Sequence, residues 1–162
     1  MKRLAAAALI AGGMLAGSIS SADAACNIIG GKAYGDCSNV RINREQPQKI
    51  TVKSYVVESG IISGATVLNG GILALQGISN GDVLVHKGGQ VIVGGTVNGS
   101  IYNHGGYVEV GGIVDHLHLE GGDAVIEGMV GKTSGVGEVR YKVGSVLNGV
   151  PFDAEVINSG DQ

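Results

Sequence analysis

Large aromatic side chains, with which a globular domain normally fills its core, are almost missing from this sequence. Its 162 residues include one Phe and no Trp. Glycine, in contrast, occurs 30 times, far above its usual share of about 7%. We therefore expect a single domain whose core is made by stacking small aliphatic side chains.

The sequence also lacks the apolar spacing of helices and the charge pattern of nucleic-acid-binding proteins. No window shows the repeated three-to-four-residue spacing of apolar residues that marks an amphipathic helix. Glycines inside helices would also cost about 1 kcal/mol each. Basic residues are not concentrated in a stripe, and the formal net charge is −3, which argues against a nucleic-acid partner. After the N-terminal segment, no stretch is long and apolar enough to span a bilayer.

Residues 1–25 have the pattern of a secretory signal peptide. Lys2 and Arg3 give a positive start, residues 4–17 are apolar, and residues 22–24 (ADA) match a small-residue cleavage site. We expect the mature chain to begin at Ala25 or Cys26. The pattern predicts a bacterial-type exported protein, located in the periplasm or secreted to the extracellular side.

The two cysteines, Cys26 and Cys37, lie close together at the predicted mature N-terminus. An even count in an exported chain predicts a disulfide, here closing the loop of residues 27–36. A competing interpretation is a lipid anchor at Cys26. The position three before Cys26 is Asp23, where a lipoprotein signal has Leu or another aliphatic residue, so we favour a soluble periplasmic or extracellular protein.

A repeat of 16 to 18 residues runs through the middle of the sequence. Each repeat contains a six-residue segment ending in Gly, then a four-residue unit, then a third segment. The six-residue segments are 55–60 (YVVESG), 72–77 (ILALQG), 90–95 (QVIVGG), 107–112 (YVEVGG) and 123–128 (DAVIEG). Three straight pieces and three corners per period predict a triangular coil.

The residue types at the corners and between them support this geometry. Asn69, Asn80 and Asn98 each precede a Gly, and both residue types enter positive-φ turns at low cost. Between corners, apolar residues alternate with period two, as in strands. We therefore predict an all-β fold, namely a short right-handed parallel β-helix (solenoid) of triangular coils of about 17 residues, about five coils with end caps.

The alternation predicts columns of aliphatic side chains inside the solenoid. On the first face, we expect the following residues to point inward: Leu73, Leu75, Val91, Val93, Val108, Val110, Ala124 and Ile126. A further inward column at the next corner would contain Ile61, Ile78, Ile113 and Met129. The third face would contribute Val83, Val85, Ile101, Leu117 and Leu119.

Glu58 is at an inward position of the first coil, where the other coils carry an aliphatic residue. A lone buried carboxylate is costly. Either Tyr55 and Val57 face inward there, or this coil is offset by one residue, and we favour the offset.

The chain divides into four parts. Residues 1–25 are the signal peptide, and residues 26–50 form a disulfide-closed N-terminal cap. Residues 51–152 form the solenoid with its C-terminal cap. Residues 153–162 are expected to be a flexible tail.

With the coils assigned, residues 88–112 (GGQVIVGGTVNGSIYNHGGYVEVGG) resemble two kinds of bacterial β-solenoid. The segment resembles the bactofilin-like polymer-forming domains, and it is similar to the GG-rich repeats of autotransporter adhesin passengers. The likeness covers residues 53–148 and depends on Gly and aliphatic spacing. It implies the fold alone, because neither family offers a catalytic motif to transfer.

Residues 115–120 (DHLHLE) contain the most concentrated set of potential metal ligands. With Leu117 and Leu119 inward, His116, His118 and Glu120 point outward on one face. Two imidazoles and a carboxylate at this spacing can chelate Zn, Cu or Ni. His104, one coil away, is a further potential ligand of this set. Outward strand positions are polar without any such role, so we assign no cofactor and no metal.

Several outward positions of the first face are apolar, which is unusual for a solvent-facing side. An interaction stripe is predicted there: Ile72, Ala74, Ile92, Tyr107 and Val125. Contiguous apolar patches mark contact surfaces. The alternative is that residues 38–50 fold back and cover the stripe.

Catalysis is not expected. Polysaccharide-cleaving β-helices need clustered acids, or a base with Arg or Lys, in a cleft, whereas Asp82, Glu109, Asp123 and Glu127 are scattered along this sequence. We predict an exported non-catalytic structural or protein-interaction solenoid in a cell-envelope or surface assembly, with a protein partner or self-association.

Two alternative functions remain open. One is a periplasmic inhibitor or immunity protein that binds a toxin. The other is a glycan-binding or adhesin-like module in which Tyr102 and Tyr107 supply stacking platforms.

Overall fold

The structure is a computed structural model that describes residues 26–29, 32–38, 40–42 and 48–161. The predicted signal peptide and its cleavage site lie outside these residues. The predicted all-β fold is confirmed, because the described residues form a parallel β-solenoid of about six turns with no helix.

Short strands follow one another around the coil, and four longer ones continue around corners. In chain order they are β1 (Cys26–Ile29), β2 (Lys32–Gly35), β3 (Val40–Ile42), β4 (Gln48–Val52), β5 (Tyr55–Glu58), β6 (Ile61–Val67), β7 (Ile72–Leu75), β8 (Ile78–Ser79), β9 (Val83–His86), β10 (Gln90–Val93), β11 (Thr96–His104), β12 (Tyr107–Val110), β13 (Ile113–Ile126), β14 (Met129–Tyr141), β15 (Val146–Leu147), β16 (Val150–Pro151) and β17 (Val156–Asp161).

The strands stack into three faces. On the first face, β5, β7, β10 and β12 pair in parallel and are followed by the last residues of β13 and β14. The second face consists of two-residue pairings such as β8 with β6 and β11. The third face stacks β4, the end of β6, β9, the end of β11 and the middle of β13.

Inward side chains form continuous columns from coil to coil. Leu75 is in register with Val93, Val93 with Val110, and Val110 with Ile126. All eight predicted inward residues of the first face are buried, and so are the five predicted for the third face. Each coil thus buries its apolar side only against its neighbours, as expected for a solenoid.

The predicted inward column at the corner is wrong. Ile61, Ile78, Ile113 and Met129 are 52%, 38%, 46% and 44% exposed, respectively. The next residue in each coil, such as Val97 or Val114, is the buried one. The period-two alternation simply continues through the corner, and a glycine occupies the inward-pointing position there.

The corner glycines are required by close approach of successive coils. A Cβ added to Gly77 would overlap the carbonyl oxygen of Gly60, and a Cβ on Gly95 would overlap that of Gly77. The same holds for Gly112 over Gly95. This glycine column therefore allows the coils to stack at the corner, and the following apolar residue is directed outward.

The predicted offset of the first coil is also wrong. Val56 and Glu58 are fully buried, Tyr55 is 44% exposed, and Glu58 is in register with Leu75. One carboxyl oxygen, Oε1, accepts a hydrogen bond from the backbone N–H of Gly60 at 2.6 Å. Burial raises the pKa of Glu58, which favours the neutral acid, and a neutral acid is far less costly to bury than a carboxylate.

The N-terminal end of the stack is closed by antiparallel strands. β1 pairs in parallel with β5 and antiparallel with β2, while β3 pairs antiparallel with β4. The predicted disulfide between Cys26 and Cys37 is present and joins β1 to the residues after β2. Ile28 lies beneath Glu58 and is fully buried.

At the C-terminal end, the segment predicted to be a flexible tail forms a strand instead. β17 pairs antiparallel with the end of β14 over six residue pairs. Tyr141, fully buried, stacks on Phe152 with ring centroids 4.5 Å apart. The free edge of β14 offers unpaired backbone groups, and hydrogen bonding to them holds the segment in place.

Candidate functional site

The predicted interaction stripe lies on the outer side of the first face, in two columns. Ile72 and Tyr107 belong to one column, which runs from Tyr55 through Gln90 to Asp123. The second column contains the other predicted residues and consists of Val57, Ala74, Ile92, Glu109 and Val125. The five residues share the outer side of the first face, with Gln90, Glu109 and Asp123 among them as the alternation predicts.

A third outward column, at the corner of the second face, was missed. It consists of Ile61, Ile78, Thr96, Ile113, Met129 and Val146. Four of these residues, Ile61, Ile78, Ile113 and Met129, were predicted to point inward. The signal that could have found them was the unbroken alternation through the corner glycine.

Apolar residues occur along the full length of these columns, and in the N-terminal coils no charged residue interrupts them. We call this surface the apolar flank, defined as Tyr55, Val57, Ile61, Ile72, Ala74, Ile78 and Ile92. Four of its members, Tyr55, Ile61, Ile78 and Ile92, are more than one third exposed. The polar positions beside them, Ser59, Gln76 and Gln90, are uncharged.

The two columns of the first face become charged towards the C-terminus, whereas the corner column stays apolar through Ile113 and Met129. Glu109 follows Ile92, Asp123 follows Tyr107, and Arg140 follows Val125. Glu127 and Glu138 add further charges on these coils. The first face is therefore neutral in its N-terminal half and mainly acidic in its C-terminal half.

The described residues do not cover the apolar flank. The alternative was that residues 38–50 fold over the stripe, but β3 and β4 lie at the N-terminal end of the third face. β17 extends the stack at its other end. Residues 43–47 of the proposed cover lie outside the described part of the chain.

All four histidines of the chain lie on the third face. His86 stacks on His104 with ring centroids 5.9 Å apart. His104 Nδ1 is 2.7 Å from Glu120 Oε2, and His118 Nε2 is 3.8 Å from Glu120 Oε1. The predicted outward orientation of His116, His118 and Glu120 is observed, and His104 does join them from the neighbouring coil.

Within the described residues, these side chains do not form a group arranged to hold a metal ion. Ser134 Oγ is 2.7 Å from His116 Nε2 and 2.8 Å from His118 Nδ1. The two imidazoles therefore share a hydroxyl, while Glu120 is paired with His104. Partial burial, with the nearby charges of Lys132 and His118, lowers the pKa of His116 and favours its neutral form.

The two tyrosines considered for glycan stacking lie on different faces. Tyr102 is on the third face, with its ring edge against His118 at a centroid distance of 5.8 Å. Tyr107 is on the first face, between Gln90 and Asp123. They cannot form a single flat platform, because a corner separates them.

A shallow cavity of about 240 Å³ lies at that corner. It is lined by Gly88, Gly89, Gln90, Gly105, Gly106, Tyr107 and Asp123. The buried Asn103 fixes its floor, because Oδ1 accepts a hydrogen bond from Gly106 N and Nδ2 donates to Gly106 O and Asp123 O. Asp123 is the one titratable acid in the lining, so paired-carboxylate chemistry has no second group here.

Comparison with models of protein families, with curated proteins and with solved structures gives no significant match to this chain. Among the described residues, none form a helix with the length and apolarity needed to cross a membrane. The sites described above are therefore interpreted from their own geometry.

Proposed function

We propose that this protein is an exported, non-catalytic structural or protein-interaction solenoid that docks onto a protein through the apolar flank. The observation that carries the proposal is the exposure of apolar side chains in adjacent columns of the N-terminal coils, without a charge among them. Exposed contiguous apolar patches on soluble proteins mark contact surfaces.

The shape of the molecule favours docking over catalysis. Its faces are regular strand stacks, and the acids on the first face follow one another as surface residues of successive coils. A stack of this kind presents side chains at a fixed spacing of about 4.8 Å. Such a surface is suited to shape recognition by another folded protein.

Export is part of the same proposal. A signal-like N-terminal sequence precedes two cysteines that form a disulfide in the structure. Disulfides persist in oxidising compartments such as the bacterial periplasm and the extracellular space. We propose one of these as the location of the mature protein.

Site-specific photocrosslinking in cells tests the docking surface. A photoreactive residue would replace Tyr55 or Ile92 on the apolar flank, or Leu84 on the third face as the matched control. We expect discrete crosslinked products from the flank positions and none from Leu84. Equal crosslinking from both faces, or none from the flank, would contradict the proposal.

A further inference from the structure

We infer that Ser134 is a nucleophile that accepts an acyl group from an activated ester or thioester, with His118 as its base. The site lies on the third face, so it is separate from the apolar flank and goes beyond the docking function proposed above. Acceptance of one acyl group modifies the protein itself and requires no turnover of a substrate. Three features support the inference: the contacts of the hydroxyl, the neighbours of the base and the open edge of β14.

The hydroxyl of Ser134 lies between two imidazole rings. Its Oγ is 2.7 Å from His116 Nε2 and 2.8 Å from His118 Nδ1. A serine hydroxyl has one proton, so it donates to one ring and accepts an N–H from the other. Partial burial lowers the pKa of His116 and favours its neutral form. A hydroxyl that donates its proton to a neighbouring base is the arrangement that activates serine as a nucleophile.

Glu120 determines which ring accepts the proton. His118 Nε2 is 3.8 Å from Glu120 Oε1, and this carboxylate favours the tautomer of His118 with its proton on Nε2. His118 Nδ1 is then the acceptor for the Ser134 hydroxyl, and His116 Nε2 donates to Oγ. His104 Nδ1, 2.7 Å from the other oxygen of Glu120, helps to hold the carboxylate in place. A nucleophile, a base and an acid that orients the base are the parts of a hydrolytic triad.

The edge of β14 beside Ser134 is open. β15 pairs with Met129 and Val130, and β17 pairs with residues 136–141. In the part of the chain that the structure describes, no strand pairs with residues 131–135 on the side away from β13. An edge of this kind leaves backbone N–H groups without a strand partner. Such N–H groups can donate to the oxygen of an attacked carbonyl and stabilise its negative charge.

The site is accessible from solvent. Ser134 is half-buried, and the side chains of His118 and Glu120 are 30% and 56% exposed, respectively. The third face is a regular stack of strands, so an acyl donor can approach the hydroxyl from outside the solenoid.

The proposed step transfers one acyl group to the protein. Ser134 Oγ attacks the carbonyl carbon of the donor, and His118 Nδ1 takes the proton of the hydroxyl. A bond forms between Oγ and the carbonyl carbon, and the bond from that carbon to the leaving oxygen or sulfur breaks. His118 then passes the proton to the leaving group. The products are an ester of Ser134 and a free alcohol or thiol.

The activated ester p-nitrophenyl acetate tests the nucleophile. The exported, disulfide-bonded protein should release one equivalent of p-nitrophenolate rapidly, and mass spectrometry should locate an acetyl group on Ser134. Ser134→Ala should reduce the rapid release by at least about tenfold. Ser100→Ala is the matched control, because Ser100 lies on the same face in register with His116, and its release should equal that of the wild type. Equal release from Ser134→Ala and the wild type would overturn the inference.

Substitution of the base tests the role of His118. His118→Gln should slow the acetylation of Ser134 by about 100-fold, which is within the usual contribution of a general base. His86→Gln is the matched control, since His86 lies on the same face three coils before Ser134, and it should leave the rate unchanged. Acetylation of Ser134 at the wild-type rate in His118→Gln would overturn the assignment of the base.

Nitrogen-15 NMR of the histidine rings tests Glu120 as a positioning residue. In the wild type, His118 should carry its proton on Nε2. Glu120→Gln should increase the fraction of His118 with its proton on Nδ1 and should slow acetylation. An unchanged tautomer and rate in this variant would show that Glu120 does not position His118. A wild-type His118 with its proton on Nδ1 would overturn its assignment as the base.

The outcomes distinguish the reactive serine from the docking function. Acetylation of Ser134 without flank-specific photocrosslinks would retain the nucleophile and overturn the docking surface. Flank-specific photocrosslinks without acetylation of Ser134 would do the opposite. Continued release of p-nitrophenolate beyond one equivalent, lost in Ser134→Ala, would support the nucleophile and contradict the non-catalytic function.

Discussion

The two ends of the solenoid are both closed by antiparallel strands, yet different interactions reinforce them. At the N-terminal end, the disulfide from Cys26 to Cys37 fixes the β1–β2 hairpin next to β5. At the C-terminal end, Phe152 packs on Tyr141, and Lys142 Nζ is 3.1 Å from Glu155 Oε2. One end is held by a covalent bond and the other by aromatic packing.

The side chains at the two ends of the inner columns explain why one end carries a disulfide and the other an aromatic stack. Near the N-terminal end they contain Gln48 and Glu58, whose Oε1 and Oε2 atoms, respectively, are buried without a hydrogen-bond partner. Such atoms cost about 1–3 kcal/mol each. At the C-terminal end the inner column finishes with Val139 and Tyr141, which are fully buried. A polar terminal layer packs less favourably, and a disulfide offsets that loss.

The largest loss of stability should come from disrupting the stacking of the coils that lie between the two ends. Gly95→Ala would place a Cβ against the backbone of Gly77, and neither backbone can move without shifting a whole coil. We expect a loss of more than about 3 kcal/mol in the free energy of unfolding, measured by urea denaturation.

Gly149→Ala is the control for that substitution. Gly149 has a φ of 79° and no heavy atom within 4 Å of the added Cβ. We expect a cost of about 1–2 kcal/mol from the left-handed conformation alone. Equal losses for the two variants would show that coil stacking does not require the glycine column.

Removing the disulfide should selectively weaken the N-terminal end. The two cysteines are 11 residues apart, and closing a loop of this size contributes about 2–3 kcal/mol. For the double variant Cys26→Ala and Cys37→Ala, we expect faster hydrogen exchange in β1 and β5, with β17 unchanged. Faster exchange at both ends would mean that the caps are coupled through the stack.

Truncating the aromatic stack should selectively weaken the C-terminal end. Phe152→Ala removes a half-buried ring from Tyr141, at a cost of about 2 kcal/mol. Hydrogen exchange should accelerate in β14 and β17 and remain slow in β5. Tyr34→Ala is a matched control, because Tyr34 is 52% exposed and its loss should be small.

The smallest effect is a pH dependence from Glu58. Burial raises the pKa of Glu58 in the folded state above the unfolded value of 4.5. As the pH rises above 4.5, the carboxyl group of Glu58 therefore ionises in the unfolded state before it ionises in the folded state. The wild type therefore loses stability until pH passes the folded pKa. Glu58→Gln should remove this loss and be about 1 kcal/mol more stable at pH 7.5, with no advantage at pH 4.

Urea denaturation at several pH values measures this difference. Glu109→Gln, on the outer side of the same face, changes the net charge equally and leaves the buried carboxyl in place. A Glu58→Gln variant that is no more stable than wild type at pH 7.5 would show that the buried carboxyl has no net cost.

The repeat made much of the fold predictable. Residues such as Leu75 and Val110 alternate with polar neighbours between glycine corners, and a strand repeats its side-chain direction every two residues. The outward set from Ile72 to Val125 followed from the same alternation. The cysteine pair was predictable too, because a chain with two cysteines admits one intramolecular pairing.

What the sequence by itself determined is the coil, because glycine spacing and period-two alternation are local properties of the backbone. Two other features depended on the tertiary structure: the burial of Glu58 and the pairing of Val156–Asp161 with β14. Each depends on which atoms of a neighbouring coil lie beside a residue. The distance between successive coils and the free edges of the stack exist only once the chain has folded.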